Sequence, residues 1–121
     1  MLAQTDRLDR AAVATLRERT DMGHPDFLGE LISLFLDTFS GQLTLLFHYA
    51  DTGDLDGLRR ISHDLRSSSA SMGAVILAAY CAELEGQARC GSTRGTATLV
   101  SRIVEEFRAV RPELEGLLST A

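Results

Sequence analysis

The stretch Ile61-Ser-His-Asp-Leu-Arg-Ser-Ser-Ser-Ala-Ser-Met-Gly-Ala74 combines the apolar spacing of a helix with one outward histidine. A helix advances about 100° per residue, so residues spaced three and four apart share one face. That face holds Leu58, Ile61, Leu65, Ser68 and Met72. His63 falls roughly 180° from its centre and is therefore expected in water, where an imidazole is available to a partner.

The outer face around His63 carries positive charge and little bulk. It comprises Asp56, Arg59, Arg60, Arg66, Ser67 and Ala70. The arginines lie on both sides of the histidine, and small residues follow one turn later. This pattern suits an anion attached to His63 and a partner that docks flat above it.

Length and composition indicate one helical domain. A chain of 121 residues with 45% hydrophobic content is near the common size of a single domain. We expect that domain to span residues 1–121, with its core over about 8–111. The net charge of −5 comes with scattered arginines, which argues against a nucleic-acid partner. No apolar run approaches the roughly 18 residues of a membrane span, so we expect no membrane insertion and a cytoplasmic location.

Apolar residues follow a three-and-four spacing almost throughout, which predicts an all-α fold. We expect a short first helix, capped by Asp9 and ending at about Arg19. Three longer helices follow over about 25–49, 55–71 and 74–89, and a fourth long helix begins at about residue 96. Pro112 is expected to stop or kink this last helix. Pro25 fits the first turn of the second helix, and Gly73 ends the third. Four long helices with short loops predict an up-down-up-down bundle, with the short N-terminal helix as a lid over one end.

The second helix has an unusually wide apolar arc. Its stripe is Leu28, Ile32, Phe35, Phe39, Leu43 and Leu46, widened by Phe27, Leu31, Leu34 and Leu45. Such an arc is typical either of a central helix that touches two neighbours or of a helix whose surplus apolar surface receives a partner. Both interpretations can hold along different turns.

Two cysteines, Cys81 and Cys90, are nine residues apart on the fourth helix. The rise between them is about 13 Å and they point to opposite sides, so they cannot form a disulfide there. We expect Cys81 to be a small core residue and Cys90 to lie near a helix end, as free thiols in a reducing compartment.

The chain resembles the histidine-containing phosphotransfer (Hpt) domains of bacterial phosphorelays. The family reads roughly His-x-Leu-Lys-Gly-Ser-Ser-x-x-apolar-Gly-Ala, and His63–Ala74 matches it in register. The neighbouring segments 27–35 and 81–85 also look like the family's adjacent helices, so the resemblance extends from about Leu8 to Phe107. Two positions depart from the family: Arg66 replaces its usual lysine and Ser67 its usual glycine.

The resemblance implies a function for His63. A receiver-domain aspartate would pass a phosphoryl group to the outer ring nitrogen, and a second receiver aspartate would take it away. Histidine suits this role because its side chain is a neutral nucleophile near pH 7. Glu85 is the candidate that orients the other ring nitrogen, and Arg66 the candidate that neutralises phosphate oxygens.

The remaining candidate residues lie along the same face. Arg59 and Arg60 would add positive charge on the other side of His63, although each can equally be an ordinary solvated arginine. Ser67, Ala70 and Asp56 would form the docking surface. Ser67 adds a hydroxymethyl group where the family leaves room, so we expect slower or more selective transfer.

The motifs present favour a phosphoryl carrier over an autonomous kinase. The sequence has no glycine-rich phosphate loop, nucleotide-binding signature or carboxylate cluster for magnesium. We therefore expect no cofactor, with magnesium only on the partner receiver domain. The expected partners are receiver domains of response regulators or hybrid sensor kinases, and the expected state is a monomer.

Three other interpretations stay open on sequence alone. The bundle could be a protein-binding module that sequesters a partner through its helical surface, with His63 incidental. It could be the phosphoacceptor domain of a larger sensor kinase, at the cytoplasmic end of a membrane protein. A metal site built from His24, His48, His63 and the cysteines is disfavoured, because these residues lack metal-ligand spacing and His24 and His48 fit a surface position better.

Overall fold

A computed structural model of the protein describes residues 7–21 and 27–119, and every regular element within these ranges is a helix. The helices are α1 (Arg10–Asp21), α2 (Phe27–Thr52), α3 (Leu55–Ser71), α4 (Val75–Arg89) and α5 (Thr96–Ser119). An isolated backbone bridge joins Leu8 to Ala74. The all-α prediction is confirmed.

The four long helices form a ring of neighbours. Helix α3 packs between α2 and α4, and α5 closes the ring by contacting α4 and α2. Short connections make consecutive helices antiparallel, as in an up-down-up-down bundle. Helix α1 packs on α2, and the backbone N–H of Asp9 donates to the carbonyl of Gly73 at 2.7 Å. The start of α1 therefore covers the α3–α4 turn at one end of the bundle, as predicted for a lid.

Polar caps fix where α1 and α3 begin. The side chain of Asp9 accepts a hydrogen bond from the N–H of Ala11 at 3.0 Å, and Asp54 accepts one from Gly57 at 2.9 Å. Each carboxylate pairs a backbone donor that the first helical turn leaves unsatisfied. Helix α3 ends before Gly73, whose φ of 74° is a conformation that glycine adopts without steric cost.

The core lies along the bundle axis. Its fully buried large side chains are Phe39, Ile32, Leu46, Leu58, Leu65, Leu77, Leu84, Ile103 and Leu114. The rings of Phe39 and Phe107 stack with their centroids 4.4 Å apart, which ties α2 to α5. The predicted stripe of α2 faces this core, whereas Phe27, Leu34 and Leu45 on its flanks stay exposed. The packing interpretation is therefore confirmed for the stripe, while binding of a partner by the exposed flanks stays a prediction.

The second helix ends later than predicted, and its predicted start is not described. Helix α2 continues past Tyr49 to Thr52 and is followed by Gly53, with φ 68°. The predicted first turn around Pro25, and His24 before it, lie outside the described residues.

Pro112 does not stop the last helix, contrary to one of the two outcomes predicted for it. Helix α5 runs through Pro112 to Ser119. An interior proline removes one backbone hydrogen bond and costs about 3 kcal/mol. Val110 and Leu114 flank it and are fully buried in the core, so hydrophobic packing on both sides offsets that cost.

The buried face of α3 is shifted relative to the prediction. Ser68 was expected to point inward, but it is only half-buried, and Ser69 beside it is fully buried. The shift follows from α4, which makes the most extensive helix–helix contact with α3 and covers its Ser62 and Ser69 side. The Ser68 hydroxyl donates to the carbonyl of Leu65 at 3.2 Å, a local hydrogen bond within α3.

The cysteines lie as predicted. Cys81 is buried and Cys90 is exposed just after α4, and both are free thiols. Burial raises the pKa of the Cys81 thiol to about 12. Cys81 is therefore an uncharged core residue at neutral pH.

Helix α2 is, by length and composition, the one helix in the described ranges that could cross a membrane. The sequence analysis had found no apolar run of that length. The indication is weak, because the central helix of a bundle has the same length and composition, and the stripe of α2 packs in the core.

Candidate functional site

His63 projects from α3 beside α4, and 51% of its side chain is exposed. Ser62 and Ser69 are fully buried on the side of α3 toward α4. Their small side chains let the two helices approach closely. Glu85 on α4 is buried, with 7% of its side chain exposed, and its carboxylate meets the imidazole at the edge of this interface.

The imidazole, a carboxylate and a guanidinium form one cluster. Nδ1 of His63 lies 3.1 Å from Oε2 of Glu85. Nε of Arg66 donates to Oε1 of Glu85 at 2.8 Å, and the Nη2 atom of Arg66 lies 3.1 Å from Nδ1 of His63. The three side chains named from the sequence are thus within hydrogen-bond distance of one another. With Nδ1 turned toward Glu85 and Arg66, Nε2 on the other side of the ring is the nitrogen left for a reactant.

Arg89, which was not predicted as a site residue, completes the cluster. Its Nη2 atom donates to Oε2 of Glu85 at 2.8 Å, while 65% of its own side chain is exposed. A signal for this contact was present, because a glutamate four residues before an arginine on a helix places the two side chains together. Glu85 therefore has a cation on each of its oxygens.

Glu85 is held in its charged form. Burial by itself raises the pKa of this carboxyl, but the hydrogen bonds from Arg66 and His63 and the charge of Arg66 outweigh it and lower the pKa below its usual range. A charged carboxylate next to His63 can accept a hydrogen bond from a ring N–H. It can also balance positive charge that develops on the ring during a reaction.

Arg59 and Arg60 lie on the outer face but are directed elsewhere. Arg59 donates to Asp56 at 3.1 Å, and Nε of Arg60 lies 3.5 Å from the same carboxylate. Among the described residues, neither arginine reaches His63 or Glu85. Arg59 and Arg60 lie about one turn and Asp56 about two turns before the histidine, so the charge of this group acts on His63 only at a distance.

A shallow apolar groove begins beside the surface proposed for docking. Ser67 and Ala70 are exposed, and the hydroxyl of Ser71 donates to the carbonyl of Ser67 at 3.0 Å. Ser71 in turn lines the groove between α2 and α3. The other lining residues are Leu31, Leu34, Phe35, Thr38, Phe39, Ser68 and Met72. His63, the small residues and the groove thus form one continuous surface.

A metal-ligand group is not found in residues 7–21 and 27–119, where three or more His, Cys, Asp and Glu side chains nowhere gather around one point. His48 is exposed at the far end of α2, with its ring 5.5 Å from that of Tyr49. His24, the other histidine of the disfavoured metal site, lies outside the described residues.

Comparison with known proteins identifies the family of the chain. The family model described as Hpt domain matches residues 30–118. Histidine-containing phosphotransfer protein 5 of Arabidopsis thaliana is 25% identical over 107 residues, which are 86% of this chain and 68% of that protein. Histidine-containing phosphotransfer protein 2 of the same plant is 23% identical over 107 residues, covering 86% of this chain and 69% of the relative.

Solved structures show the same bundle. Histidine-containing phosphotransfer protein B (HptB) of Pseudomonas aeruginosa PAO1 superposes with a TM-score of 0.89 at 29% identity, covering 98% of this chain and 99% of that one. The maize protein ZmHP2 shares the fold, with a TM-score of 0.84 at 24% identity over 93% of this chain and 83% of its own. Because the Hpt model spans most of the sequence, this chain belongs to the Hpt domain family and is a phosphorelay intermediate.

Proposed function

We propose that His63 is the residue that carries the phosphoryl group. The observation that supports this is an exposed imidazole whose Nδ1 lies 3.1 Å from the buried carboxylate of Glu85. A proton on Nδ1, donated to Glu85, leaves the lone pair on Nε2 and directs it to solvent. A half-exposed ring with one fixed edge and one reactive edge is what a transferable carrier requires.

The bonds made and broken in the transfer involve the ring and the phosphorylated donor. The lone pair of Nε2 attacks the phosphorus of an aspartyl phosphate on a receiver domain, and the bond from phosphorus to the aspartate oxygen breaks. The aspartate leaves as a carboxylate, and the ring becomes a positively charged phosphoimidazole that still bears its Nδ1 proton. Glu85 opposes that charge, and the reverse step delivers the phosphoryl group to a second receiver aspartate.

Arg66 is the proposed partner of the phosphate oxygens. It lies one turn after His63 on α3, 39% of its side chain is exposed, and its guanidinium fork suits oxyanions. Arg59 and Arg60 contribute less, because Asp56 already neutralises part of their charge. Their proposed role is limited to attracting an acidic partner to this face.

The proposed docking surface is the exposed strip formed by Asp56, Ser67 and Ala70 together with the groove between α2 and α3. Leu34, with 62% exposed, is the most accessible apolar side chain at that groove. A receiver domain seated there would bring its aspartate over Nε2. The partners proposed are therefore receiver domains of response regulators or hybrid kinases.

As a carrier, the chain would take its phosphoryl group from a partner. The absence of a glycine-rich phosphate motif from the sequence supports a carrier over an autonomous kinase. Magnesium would then be held by the receiver domain, and no cofactor is proposed for this chain. A monomer in the cytoplasm fits a carrier that presents one face to successive partners.

Transfer from a phosphorylated receiver domain tests the proposal. The parent, His63→Gln and the matched control His48→Gln, which changes another exposed histidine, are mixed with the same donor. We expect label on the parent and on His48→Gln that survives base and is lost in acid, and none on His63→Gln. Equal labelling of His63→Gln would refute the assignment of His63. No transfer from a panel of receivers would favour a binding module.

Ser67→Gly tests whether the serine restricts docking. Removing the hydroxymethyl group one turn after His63 should raise the transfer rate several-fold, or widen the range of receivers that react. Ala70→Gly, at the other small position on this face, is the matched control for added backbone freedom. An unchanged rate in Ser67→Gly would mean that Ser67 imposes no steric penalty.

A further inference from the structure

Two contacts at Nδ1 of His63 exclude each other. The carboxylate oxygen Oε2 of Glu85, 3.1 Å away, can only accept a hydrogen bond, so it needs a proton on Nδ1. The Nη2 atom of Arg66, also 3.1 Å away, can only donate, so it needs a lone pair on Nδ1. A neutral ring satisfies one of these neighbours at a time. The cluster therefore has two states that differ in ring tautomer.

The two tautomers differ in reactivity. When Nδ1–H donates to Glu85, the lone pair is on Nε2 and the exposed nitrogen is a nucleophile. When Nδ1 accepts from Arg66, the proton is on Nε2 and the exposed nitrogen has no lone pair to attack with. The position of one arginine thus decides whether His63 is ready to react.

The remaining contacts favour Arg66 in the cluster at rest. Its Nε donates to Oε1 of Glu85 at 2.8 Å, which anchors the guanidinium so that Nη2 reaches Nδ1. Arg89 donates to Oε2 at 2.8 Å, so that oxygen has a donor whether or not the ring also donates to it. Glu85 has a cation on both oxygens without any proton from the ring. Its demand for that proton is low while both arginines are in place.

We propose that Arg66 is a tautomer switch: at rest it donates to Nδ1 and keeps His63 unreactive, and when it turns to an incoming phosphoryl group it frees Nδ1 to donate to Glu85. The inference rests on the proposed function of His63. The switch moves no net proton, because one leaves Nε2 for water and one from water reaches Nδ1. Arg89 keeps Glu85 charged while Arg66 is away, since a buried carboxylate with no cation would take up a proton.

The switch would suppress chemistry with the wrong reactant. A small electrophile without phosphate oxygens gives Arg66 no reason to leave Nδ1, so the ring stays in the unreactive tautomer. An aspartyl phosphate on a docked receiver supplies oxygens that a guanidinium binds well. Readiness of the nucleophile is thereby coupled to the presence of its substrate.

The tautomer of His63 can be read directly. Long-range ¹H–¹⁵N correlation spectra of histidine-labelled protein, at a pH where imidazole rings are neutral, show which ring nitrogen carries the proton. The variants are Arg66→Met, which removes the donors and keeps the length, and Arg66→Ala, which checks that methionine packing is not the cause. Arg59→Met is the matched control, because it deletes an arginine one turn before His63 that faces Asp56.

We expect the parent to carry its proton mainly on Nε2, and both Arg66 variants to shift toward Nδ1–H. The ratio of tautomers should change on the order of tenfold, the factor that loss of one charge-assisted hydrogen bond typically produces. Arg59→Met should leave the ratio as in the parent. A parent already protonated on Nδ1, or an equal shift in Arg59→Met, would overturn the switch.

The outcome is independent of whether His63 is the phosphorylated residue. Labelling of the parent and not of His63→Gln, with a tautomer that ignores Arg66, would refute the switch and keep the proposed function. If the tautomer of His63 responds to Arg66 but no receiver labels the chain, the control of the ring by Arg66 is kept and the proposed function of His63 is refuted.

Discussion

Glu85 on α4 and Glu106 on α5 are both buried glutamates, yet their pKa values move in opposite directions. For each, burial is the largest influence and raises the pKa. At Glu85 the hydrogen bonds from Arg66 and His63 and the charge of Arg66 reverse it, and the pKa is lowered. At Glu106, Arg7 opposes burial only partly and Glu113 adds repulsion, so the pKa is raised.

The geometry around each carboxylate explains the difference. Arginines donate to both oxygens of Glu85 at 2.8 Å. Glu106 has one arginine, whose Nε donates to Oε1 at 3.3 Å, and its Oε2 has no hydrogen-bond partner. Burial alone therefore does not decide the direction in which the pKa of a carboxyl moves; the number and distance of its cations do. His63, Arg66 and Arg89 all contact the carboxylate of Glu85, whereas Arg7 is the cation that contacts Glu106 among the described residues.

The largest expected effect comes from removing each charge while keeping its size. Glu85→Gln should slow phosphoryl transfer by about 100-fold, because the amide no longer balances the charge on the ring or holds its tautomer. Glu106→Gln should transfer at the parent rate, since Glu106 lies at the α1 side of α5 and contacts Arg7. Single-turnover transfer from one phosphorylated receiver measures both. Equal transfer rates for the two variants would mean that Glu85 contributes no more to phosphoryl transfer than Glu106 does.

An intermediate effect is expected on stability, with opposite signs. At neutral pH, Glu85→Gln should lower the free energy of unfolding by about 1–3 kcal/mol, because hydrogen bonds to a charged group are lost. Glu106→Gln should raise it by up to about 1 kcal/mol, because a buried charge with poor compensation is removed. Chemical denaturation of the parent and both variants at pH 7 tests the signs. Two shifts of the same sign would contradict the contrast.

The pH dependence follows from the same contrast. A lowered pKa means that Glu85 contributes stability above its ordinary value of 4.5, which is lost as the pH falls below that value through the folded pKa. A raised pKa means that the contribution of Glu106 is present below 4.5 and lost as the pH rises above it. Unfolding free energies measured across this pH range should test both contributions. Glu85→Gln should show a smaller loss of stability than the parent as the pH falls below 4.5, and Glu106→Gln a smaller loss as the pH rises above 4.5.

The sequence accounts for much of the site, for identifiable reasons. His63 was chosen as a candidate because helical periodicity places it opposite the apolar stripe. Arg66 was chosen because it lies one turn after His63, where the family has a lysine, and Glu85 because its helix was expected to pack beside His63. Arg89 was available from its spacing to Glu85 alone. The contacts of Arg66 with Glu85 and with Nδ1 of His63 were not predicted, because they depend on how α3 and α4 pack.

The errors arose where tertiary packing outweighs a local rule. Ser68 was predicted to be buried because the apolar spacing within α3 was the only guide. In the structure Ser69 is the buried serine, since α3 packs most extensively against α4. Of the two outcomes predicted for Pro112, a stop is wrong, because packing of the buried Leu114 beyond it keeps the last helix continuous through Ser119. Glu106 was not recognised as buried, because nothing in a helix sequence shows which carboxylate a second helix will cover.

The smallest expected effect comes from removing one charged neighbour of each carboxylate. Arg89→Gln removes a cation from Glu85 and should raise its pKa, while Glu113→Gln removes repulsion from Glu106 and should lower its pKa. Because Arg89 is 65% and Glu113 45% exposed, each change should alter stability by no more than about 0.5 kcal/mol. Side-chain ¹³C titration of the glutamates measures the pKa values, with Arg102→Gln on the exposed side of α5 as the charge control. If cations rather than burial separate the two sites, these two substitutions bring their pKa values closer together. A gap that stays as wide would mean that depth of burial controls both carboxylates after all.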